Sequence, residues 1–521
     1  MKQISILISG LALSYLVSAQ SEFDALKYLE PDFYGTARYS SMAGAFGALG
    51  ADPSAIKDNP AGLGLYRSSE LSTTFNFLSQ TTPTEWMRNK ESDQLIKGGF
   101  NQLSLVLSNP TSSSFSNSLG LKRSNWAFSY NRLKDFNRQV RINGGSGVKG
   151  SALDYIAYFT GDIPGNELYK DSNYDPYNNV SVPWISVAAA NAGLINEFVY
   201  DDNGATAYWN PILEQNETVS PTYNLRESGH LSEFALSWSG NFNNRLFLGA
   251  FATIYDMEYT KSAEYKENFS VVGSMTLDNY MNSKASALGV RFGALYIPFD
   301  FLRLGASLRA PMVYSTSDFN NLYLHYNHGG NDFGTEKTPD AYNNFKLQTP
   351  IVLNLSAALI QGKFGVIGLE YINSQNNRTK FMDESNNTYT YRYENDTIQS
   401  TFNSQHTLKI GGEFKVNSEL AIRAGYAYST PATQARLSKE MNPNTTRTDI
   451  EYFVPGATSY FTGGLGYRKD AWAFDLAVVQ KIQKEEFYAF NPSKVSSNLQ
   501  LPAAQVATNN LSLLATVSVR F

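Results

Sequence analysis

Hydrophobic and polar residues alternate with a period of two along most of the chain after Tyr66. Such alternation places apolar side chains on one face of a strand and polar side chains on the other. About fourteen segments show the pattern over a length that suits a tilted membrane-spanning strand. The segments are centred on residues 71–77, 103–107, 126–131, 233–238, 245–265, 288–296, 302–309, 351–359, 364–373, 408–414, 420–428, 461–467, 472–478 and 511–521.

Charged residues in these segments fall mainly on the face opposite to the apolar one. A β-sandwich also alternates, but a lipid-facing band around a polar lumen better explains long aromatic faces backed by charges. The pattern therefore predicts an all-β protein, a transmembrane antiparallel β-barrel of about fourteen strands. We expect the luminal charges to pair with one another, although Arg303 or Arg309 could instead bind a carboxylate head. These charges are Arg291, Arg303, Arg309, Lys409, Glu413, Arg423, Asp475 and Arg520.

The connections between the segments alternate in length, which is typical of periplasmic turns and extracellular loops. Tight turns are expected at residues 243–244, 298–300, 361–363, 416–418 and 468–470. Long polar loops are expected at residues 81–98, 144–229, 268–282, 315–344, 374–400, 431–456 and 491–506. In the longest loop, residues 152–159 and 184–198 have the composition of helices.

The first nineteen residues resemble a secretory signal peptide. Lys2 precedes an apolar core at residues 4–17, and Val17-Ser18-Ala19 forms a small-residue cleavage site. We therefore expect a mature chain that begins near Gln20 and is located in the outer membrane of a diderm bacterium. The chain has no cysteine, which excludes disulfides, thiolate metal sites and a lipoprotein anchor.

Residues 35–66 differ from the strands that follow, because they are rich in Gly and Ala and lack alternation. Asp52-Pro53 and Asn59-Pro60 mark turns or helix boundaries, and residues 54–57 suit one helical turn. We interpret residues 20–66 as a periplasmic lead-in and an N-terminal hatch that plugs the lumen. Residues 67–521 would then form the barrel with its extracellular loops.

The hatch resembles that of the FadL/TodX family, outer-membrane transporters of long-chain fatty acids and aromatic hydrocarbons. The resemblance covers residues 40–63 and is carried by Gly44, Asp52, Asn59, Pro60 and Ala61. It implies a monomeric, plugged barrel of fourteen strands in the lipid of the outer membrane, which takes up hydrophobic small molecules passively. The terminal Phe521 similarly resembles the signal that the barrel-assembly machinery reads during insertion.

The family also suggests how substrate enters and leaves. Its loop helices form an apolar groove that captures substrate, although such helices can equally pack together as a lid. The third family strand is kinked, but no Pro or Gly lies between Trp126 and Ile142 here, so the sequence gives no support for a kink and leaves open whether substrate exits laterally or down the lumen. The candidate capture residues are Trp184, Ile185, Val187, Leu194, Ile195 and Phe198.

The composition of the chain bears on nucleic-acid binding, metal binding and catalysis as other possible functions. Charged residues make up 17% of the chain and the net charge is −5, which does not suit a nucleic-acid partner. There are four histidines. His325 and His328 have a spacing that suits two metal ligands, but no third ligand is evident, so we expect no metal, no cofactor and no enzyme. The alternatives are a PorV-like barrel that interacts with secreted proteins, and a transporter of haem, which so few histidines do not favour.

Overall fold

The computed structural model describes residues 20–29, 32–111, 120–199, 207–442, 445–495 and 501–521. The signal peptide expected at residues 1–19 lies outside this described part. Within it, nineteen strands form one antiparallel sheet and two more form a separate hairpin. In chain order the strands are β1 (Glu70–Trp86), β2 (Asn89–Pro110), β3 (Leu121–Asp135), β4 (Arg138–Asn143), β5 (Ile195–Val199), β6 (Ala207–Pro211), β7 (Val219–Phe242), β8 (Leu246–Phe269), β9 (Ser274–Phe299), β10 (Leu302–Arg309), β11 (Val313–Asn327), β12 (Phe333–Lys337), β13 (Ala341–Gln348), β14 (Val352–Gln361), β15 (Gly365–Gln375), β16 (Lys380–Met382), β17 (Ser404–Lys415), β18 (Leu420–Ser429), β19 (Tyr452–Lys469), β20 (Trp472–Tyr488) and β21 (Ala504–Arg520).

The large sheet closes into a barrel because its first and last strands pair. Glu70 lies opposite Arg520 and Thr84 lies opposite Val506 in the β1–β21 pair. Several successive strands follow one path through the wall, namely β3 with β4, β10 with β11, β12 with β13 and β14, and β15 with β16. Counted by path, the barrel has fourteen strands, and each contains one of the fourteen segments predicted from the sequence.

The outer face carries the expected apolar band, and the inner face is buried. Phe292 on β9 is 60% exposed on the outer surface. Alternation with Asp256 and Glu258 predicts that Phe247, Phe251 and Tyr255 lie on the outer, apolar face of their strand, and this prediction is wrong. On β8, Phe247, Phe251 and Tyr255 are buried inside the barrel, whereas Leu248 and Ile254 lie outside. Both faces of this strand are apolar near its start, so alternation alone could not distinguish them.

Three stretches predicted as polar loops are strands that extend beyond the apolar band. Residues 81–98 belong to the β1–β2 hairpin, whose turn is Met87-Arg88. The stretch 268–282 is likewise mostly strand, because β8 continues to Phe269 and β9 begins at Ser274. The outward-facing residues of these strand extensions are polar, so the composition of the extensions resembles that of loops. Residues 315–344 also contain strands, within β11, β12 and β13.

The longest connection forms a compact cap at the end of the barrel opposite to the tight turns. It contains helices α3 (Ala152–Thr160), α4 (Gly165–Leu168) and α5 (Trp184–Asn191), and the β5–β6 hairpin. The first predicted helix is confirmed. The second ends at Asn191 rather than at residue 198, because Gly193 adopts a positive φ of 65° and the chain turns into β5.

Residues 32–66 lie inside the barrel, in the half nearest the tight turns. They contain α2 (Ala37–Ser41) and the 3₁₀ turns Pro53–Lys57 and Pro60–Leu65, so the helical turn expected at residues 54–57 is present. A further helix, α1 (Glu22–Ala25), precedes them, and α6 (Arg392–Thr401) lies in a later loop. Among the described residues, no helix is both long and apolar enough to cross a membrane.

Candidate functional site

The hatch residues singled out in the sequence organise the plug. Asp52 caps the turn Pro53–Lys57 by accepting from the Ser54 N–H at 2.9 Å, and both its oxygens accept from Thr36 Oγ1 at 2.9 Å. Asn59 caps the turn Pro60–Leu65 by accepting from the Ala61 N–H at 3.1 Å. Gly44 has a positive φ of 69°, and an added Cβ would meet the ring of Tyr39. The acidic turn and the Asn-Pro-Ala sequence therefore act as two successive N-caps.

Asn59 also joins the hatch to the barrel wall. Its Nδ2 donates to the carbonyl oxygen of Gly47 at 2.8 Å and to that of Ala294 on β9 at 3.1 Å. The wall strand β8 accommodates this turn because residue 249 is glycine. A Cβ there would lie 2.4 Å from the carbonyl carbon of Pro60. The hatch and the wall thus meet with backbone against backbone.

Buried ion pairs hold the other side of the hatch. Lys409 Nζ lies 2.8 Å from Glu370 Oε1, and the other oxygen of Glu370 accepts from the Gly47 N–H at 2.7 Å. Arg38 on α2 pairs with Glu413 at 3.0 Å, which also pairs with Arg423 at 2.7 Å. These pairs connect wall strands to the plug, so the hatch is fixed by charge as well as by packing.

The luminal charges predicted from the sequence mostly have this structural role. Arg423 also pairs with Asp475 at 2.6 Å, and Arg520 pairs with Glu70 at 2.7 Å. Arg291 donates to the Asp58 carbonyl oxygen at 2.8 Å, and Arg303 donates to that of Leu49 at 2.7 Å. Pairing is therefore the rule, and Arg303 binds the hatch.

Arg309 is the exception among these eight residues. Its side chain is buried, with 9% exposure, and its Nε has no hydrogen-bond partner within the described part of the chain. No carboxylate oxygen of a described residue lies within 4.0 Å of its guanidinium. A buried guanidinium without a partner is costly, and this one faces a cavity.

That cavity, the lower cavity, lies between the hatch and the residues that precede it, and has a volume of about 110 Å³. Apolar side chains form part of its wall, namely Leu29, Phe33, Leu133, Val352 and Ile372. Its charged lining residues are Asp32, Lys57, Asp58, Glu233, Arg291, Arg309 and Lys409. The cavity thus combines an apolar wall with the unpaired Arg309, which is the arrangement that an amphiphile with an anionic head requires.

The lead-in does not lie on the periplasmic side, and this expectation is wrong. Residues 20–29 lie inside the barrel at the loop end, where Phe23 packs on Tyr452 with ring centroids 5.2 Å apart. Asp24 pairs with Lys27 and with Arg447 of a long loop, both at 2.9 Å. Burial opposes the charge of Asp24, but Arg447 and then Lys27 hold the pKa of its carboxyl well below its usual range.

An upper cavity of about 230 Å³ lies beside this segment. It is lined by side chains of both charge signs, including Lys261, Arg447, Asp449 and Glu451. Lys261 Nζ lies 3.1 Å from Asp449 and 3.0 Å from Glu451. Sequence reasoning missed these residues, because the loop that carries Arg447 and Asp449 shows no periodic pattern that would place it inside the barrel.

The wall has a gap at the third strand, although no Pro or Gly between Trp126 and Ile142 indicates one. Strand β2 pairs with β3 only from Pro110 to Gln102, which lies opposite Asn131. Beyond this point the third strand breaks between Asp135 and Arg138, and β4 continues in register with β7. Asp135 Oδ1 accepts from the Asn137 N–H at 2.9 Å, so a local side-chain bond produces the break without Pro or Gly.

Beside the gap, β2 residues 89–101 pair with β1 alone. Gly98 and Gly99 have open space where a Cβ would point. Two ion pairs span the gap, Lys97 with Asp135 at 3.9 Å and Arg141 with Asp93 at 3.6 Å. The opening therefore leads sideways through the wall. Besides these charges, a hydrogen bond from Thr84 Oγ1 to the Arg141 carbonyl oxygen at 2.7 Å joins β4 to β1 beside it.

Five of the six candidate capture residues are buried in the core of the cap. Trp184, Ile185, Val187, Leu194 and Ile195 pack there with little or no exposure, and only Phe198 is exposed, at 54%. They do not line an apolar groove together. This arrangement favours the lid interpretation over capture.

The structure also places two of the histidines and the C-terminal residue considered in the sequence analysis. His325 lies 2.8 Å from Thr335 Oγ1, and His328 lies 2.8 Å from the carbonyl oxygen of Ala192. Within the described ranges, no group of three or more His, Cys, Asp or Glu could hold a metal ion. Phe521 exchanges two backbone hydrogen bonds with Ser69, both at 3.1 Å, and its role in insertion remains a prediction.

Among solved structures, one FadL homologue from Pseudomonas aeruginosa is similar over 94% of this chain and 100% of its own, with a TM-score of 0.55 and 14% identity. The chain has the FadL fold. This confirms, for the fold, the resemblance drawn from the hatch residues. The toluene transporters TodX of Pseudomonas putida and TbuX of Ralstonia pickettii also match over 94% of this chain and 99% of theirs. Their TM-scores are 0.49 and 0.47, at 11% and 12% identity.

Sequence comparisons give no corresponding match. No protein-family model matches the chain, and no curated protein matches it. With 14% identity to the FadL homologue, it is the fold that is shared, and the cargo must be argued from the residues of this chain.

Proposed function

We propose that this protein is an outer-membrane channel for the passive uptake of hydrophobic molecules that carry an anionic head, such as long-chain fatty acids. The observation that carries the proposal is the lower cavity, where an apolar wall lies beside the buried and unpaired Arg309. The shared fold with a FadL homologue and the resemblance of the hatch to the FadL/TodX family support it.

In this proposal, Arg309 binds the head group and the apolar wall holds part of the chain. A guanidinium can form two parallel hydrogen bonds to a carboxylate. Such a bond compensates for the burial of Arg309, whereas the seven other luminal charges already have partners. An uncharged hydrocarbon would gain nothing from this arginine.

At its lower end, beside the exposed Phe100 of β2, the gap beside β3 offers an exit towards the bilayer. A molecule in the lumen would leave between β2 and β4 without crossing the hatch, which is fixed by Glu370, Lys409 and Asn59. An apolar chain gains roughly 0.8 kcal/mol for each methylene transferred from water to hydrocarbon, so release into lipid is favourable.

The proposal is tested by measuring the binding of palmitate and of hexadecanol to the purified mature protein in nanodiscs. We expect Arg309→Gln to weaken palmitate binding by roughly tenfold or more, because a charge-assisted hydrogen bond contributes about 1.5–3 kcal/mol. Hexadecanol, which has no charge, should bind the variant and the wild type alike.

The matched control is Arg226→Gln, which removes an exposed arginine from β7. This variant should bind palmitate like the wild type. Equal palmitate affinity for the Arg309 variant, or no binding to the wild type, would contradict the proposal. No surface or contact within the described residues favours the protein-secretion alternative or haem transport over this function.

A further inference from the structure

The residue expected to begin the mature chain is buried. The small-residue site at Val17-Ser18-Ala19 predicts cleavage before Gln20, and Gln20 is 5% exposed at the loop end of the lumen. Ser21 and Glu22 are buried as well. Cleavage at this bond creates an α-ammonium group, so a new positive charge arises inside the protein rather than in solvent.

One oxygen of the buried Glu22 carboxylate, two residues further along, lacks a hydrogen-bond partner among the described residues. Glu22 is 1% exposed, and its Oε1 has no hydrogen-bond partner among the described residues. Its Oε2 accepts a long hydrogen bond of 3.4 Å from Ser21 Oγ, and the Glu22 backbone N–H also stabilises the carboxylate. Glu394 of α6, also buried, and Asp24 lie close enough to act on Glu22 electrostatically. The pocket around Glu22 is therefore acidic before any α-ammonium is formed.

The remaining charged and titratable neighbours do not neutralise Glu22. Lys439 is near, but its Nζ pairs with Asp449 at 3.0 Å. Tyr155 of α3, Tyr393 of α6 and Tyr452 of β19 lie close enough to interact electrostatically with the carboxyl. Burial raises the pKa of Glu22 from its ordinary value of 4.5 to about 8 in the chain that continues through Ala19.

We propose that the α-ammonium of Gln20, formed by signal-peptide cleavage, binds in this pocket and pairs with Glu22, with Glu394 as the second carboxylate. The cap, α6 and β19 each contribute residues to this pocket. The ion pair therefore joins the mature N-terminus to several loops. Removal of the signal peptide thereby completes the closure of the loop end of the lumen.

A chain with an uncharged N-terminus provides the comparison that tests the proposed ion pair. An N-terminal glutamine can cyclise when its α-nitrogen attacks its own side-chain amide carbon, which forms a lactam and releases ammonia. The lactam has the same residue count and no charge. Glutaminyl cyclase acting on the denatured chain therefore yields a matched protein that lacks the proposed cation and the side-chain amide nitrogen of Gln20.

The test compares the thermal midpoints of the free and the cyclised chains, both refolded in detergent, between pH 5 and pH 8. In the cyclised chain Glu22 has a folded pKa above its unfolded value, so stability should fall as pH rises from about 4.5 towards about 8. The free chain should not show this fall, because the α-ammonium compensates the ionised carboxylate. Glu22→Gln should remove the difference between the two chains.

A second measurement does not depend on the variant folding. The α-amine of the mature protein isolated from membranes should react with an amine reagent on the order of tenfold or more slowly than in the denatured chain. Glu384→Gln, a change at an exposed carboxylate, is the control and should alter neither result. Equal midpoints for the two chains, rapid labelling, an N-terminus other than Gln20, or a natural lactam would each overturn the proposal.

Discussion

The buried pair between Glu370 and Lys409 is the sharpest point at which the hatch can be loosened. Both side chains are almost fully buried and their charged atoms lie 2.8 Å apart. Glu370→Gln keeps the size and an acceptor for the Gly47 N–H but leaves Lys409 with Asp58, at 3.7 Å, as its nearest remaining carboxylate. Breaking one side of a buried pair typically costs about 3–5 kcal/mol.

The remaining contact with Asp58 places the expected cost near the lower end, about 3 kcal/mol. If this energy holds the hatch closed, its loss raises the open population by roughly a hundredfold, since 1.36 kcal/mol corresponds to a factor of ten. Hydrogen exchange followed by mass spectrometry on peptides that contain Gly47 measures this change. Exchange should accelerate in the hatch and not in β20 or β21.

Two further variants separate the charge effect from general damage. Glu370→Gln combined with Lys409→Met removes both charges and should restore much of the protection. Glu419→Gln changes an exposed turn residue and should have no effect. Unchanged exchange in the Glu370→Gln hatch, despite a protected wild type, would refute the reasoning that this pair holds the plug.

Three other predictions concern the wall, the lead-in and the gap. Gly249→Ala places a Cβ 2.4 Å from Pro60 and should lower the thermal midpoint by an amount equivalent to about 1–3 kcal/mol; Gly412→Ala, whose nearest contact is 3.8 Å, should be nearly neutral. Asp24→Asn should destabilise the protein at neutral pH, because a lowered folded pKa contributes stability above the unfolded pKa of about 4. The difference from wild type should shrink as pH falls below that value, and a constant difference in thermal scans would contradict it. Lys97→Cys with Asp135→Cys, joined by a short bifunctional thiol-reactive crosslinker, should slow fatty-acid uptake by cells, whereas uptake at the wild-type rate would exclude the gap as the exit.

The barrel could be predicted from sequence because its physical requirement is repeated along the chain. Every spanning strand must present apolar residues to lipid at every second position, and all fourteen segments are present in the structure. The exceptions are informative. Phe247, Phe251 and Tyr255 were assigned to the wrong face, because large aromatic side chains also fill the lumen.

The site could be predicted only where a local rule applied. Asp52-Pro53 and Asn59-Pro60 could be recognised as turns or helix boundaries. The contact of Asn59 with the wall, however, depends on Ala294, which lies more than two hundred residues away. The break near Asn137 arises from a side-chain hydrogen bond, and the sequence has no Pro or Gly there that would indicate a break. Arg309 differs from its paired neighbours only through the three-dimensional arrangement.

The most direct test of the account is uptake of labelled palmitate by cells that lack their own fatty-acid transporter. The account predicts that the wild-type protein restores uptake and that Arg309→Gln, inserted in the outer membrane in equal amount, restores much less. Uptake no greater than with an empty vector, from a wild-type barrel that is correctly folded and inserted, would contradict it.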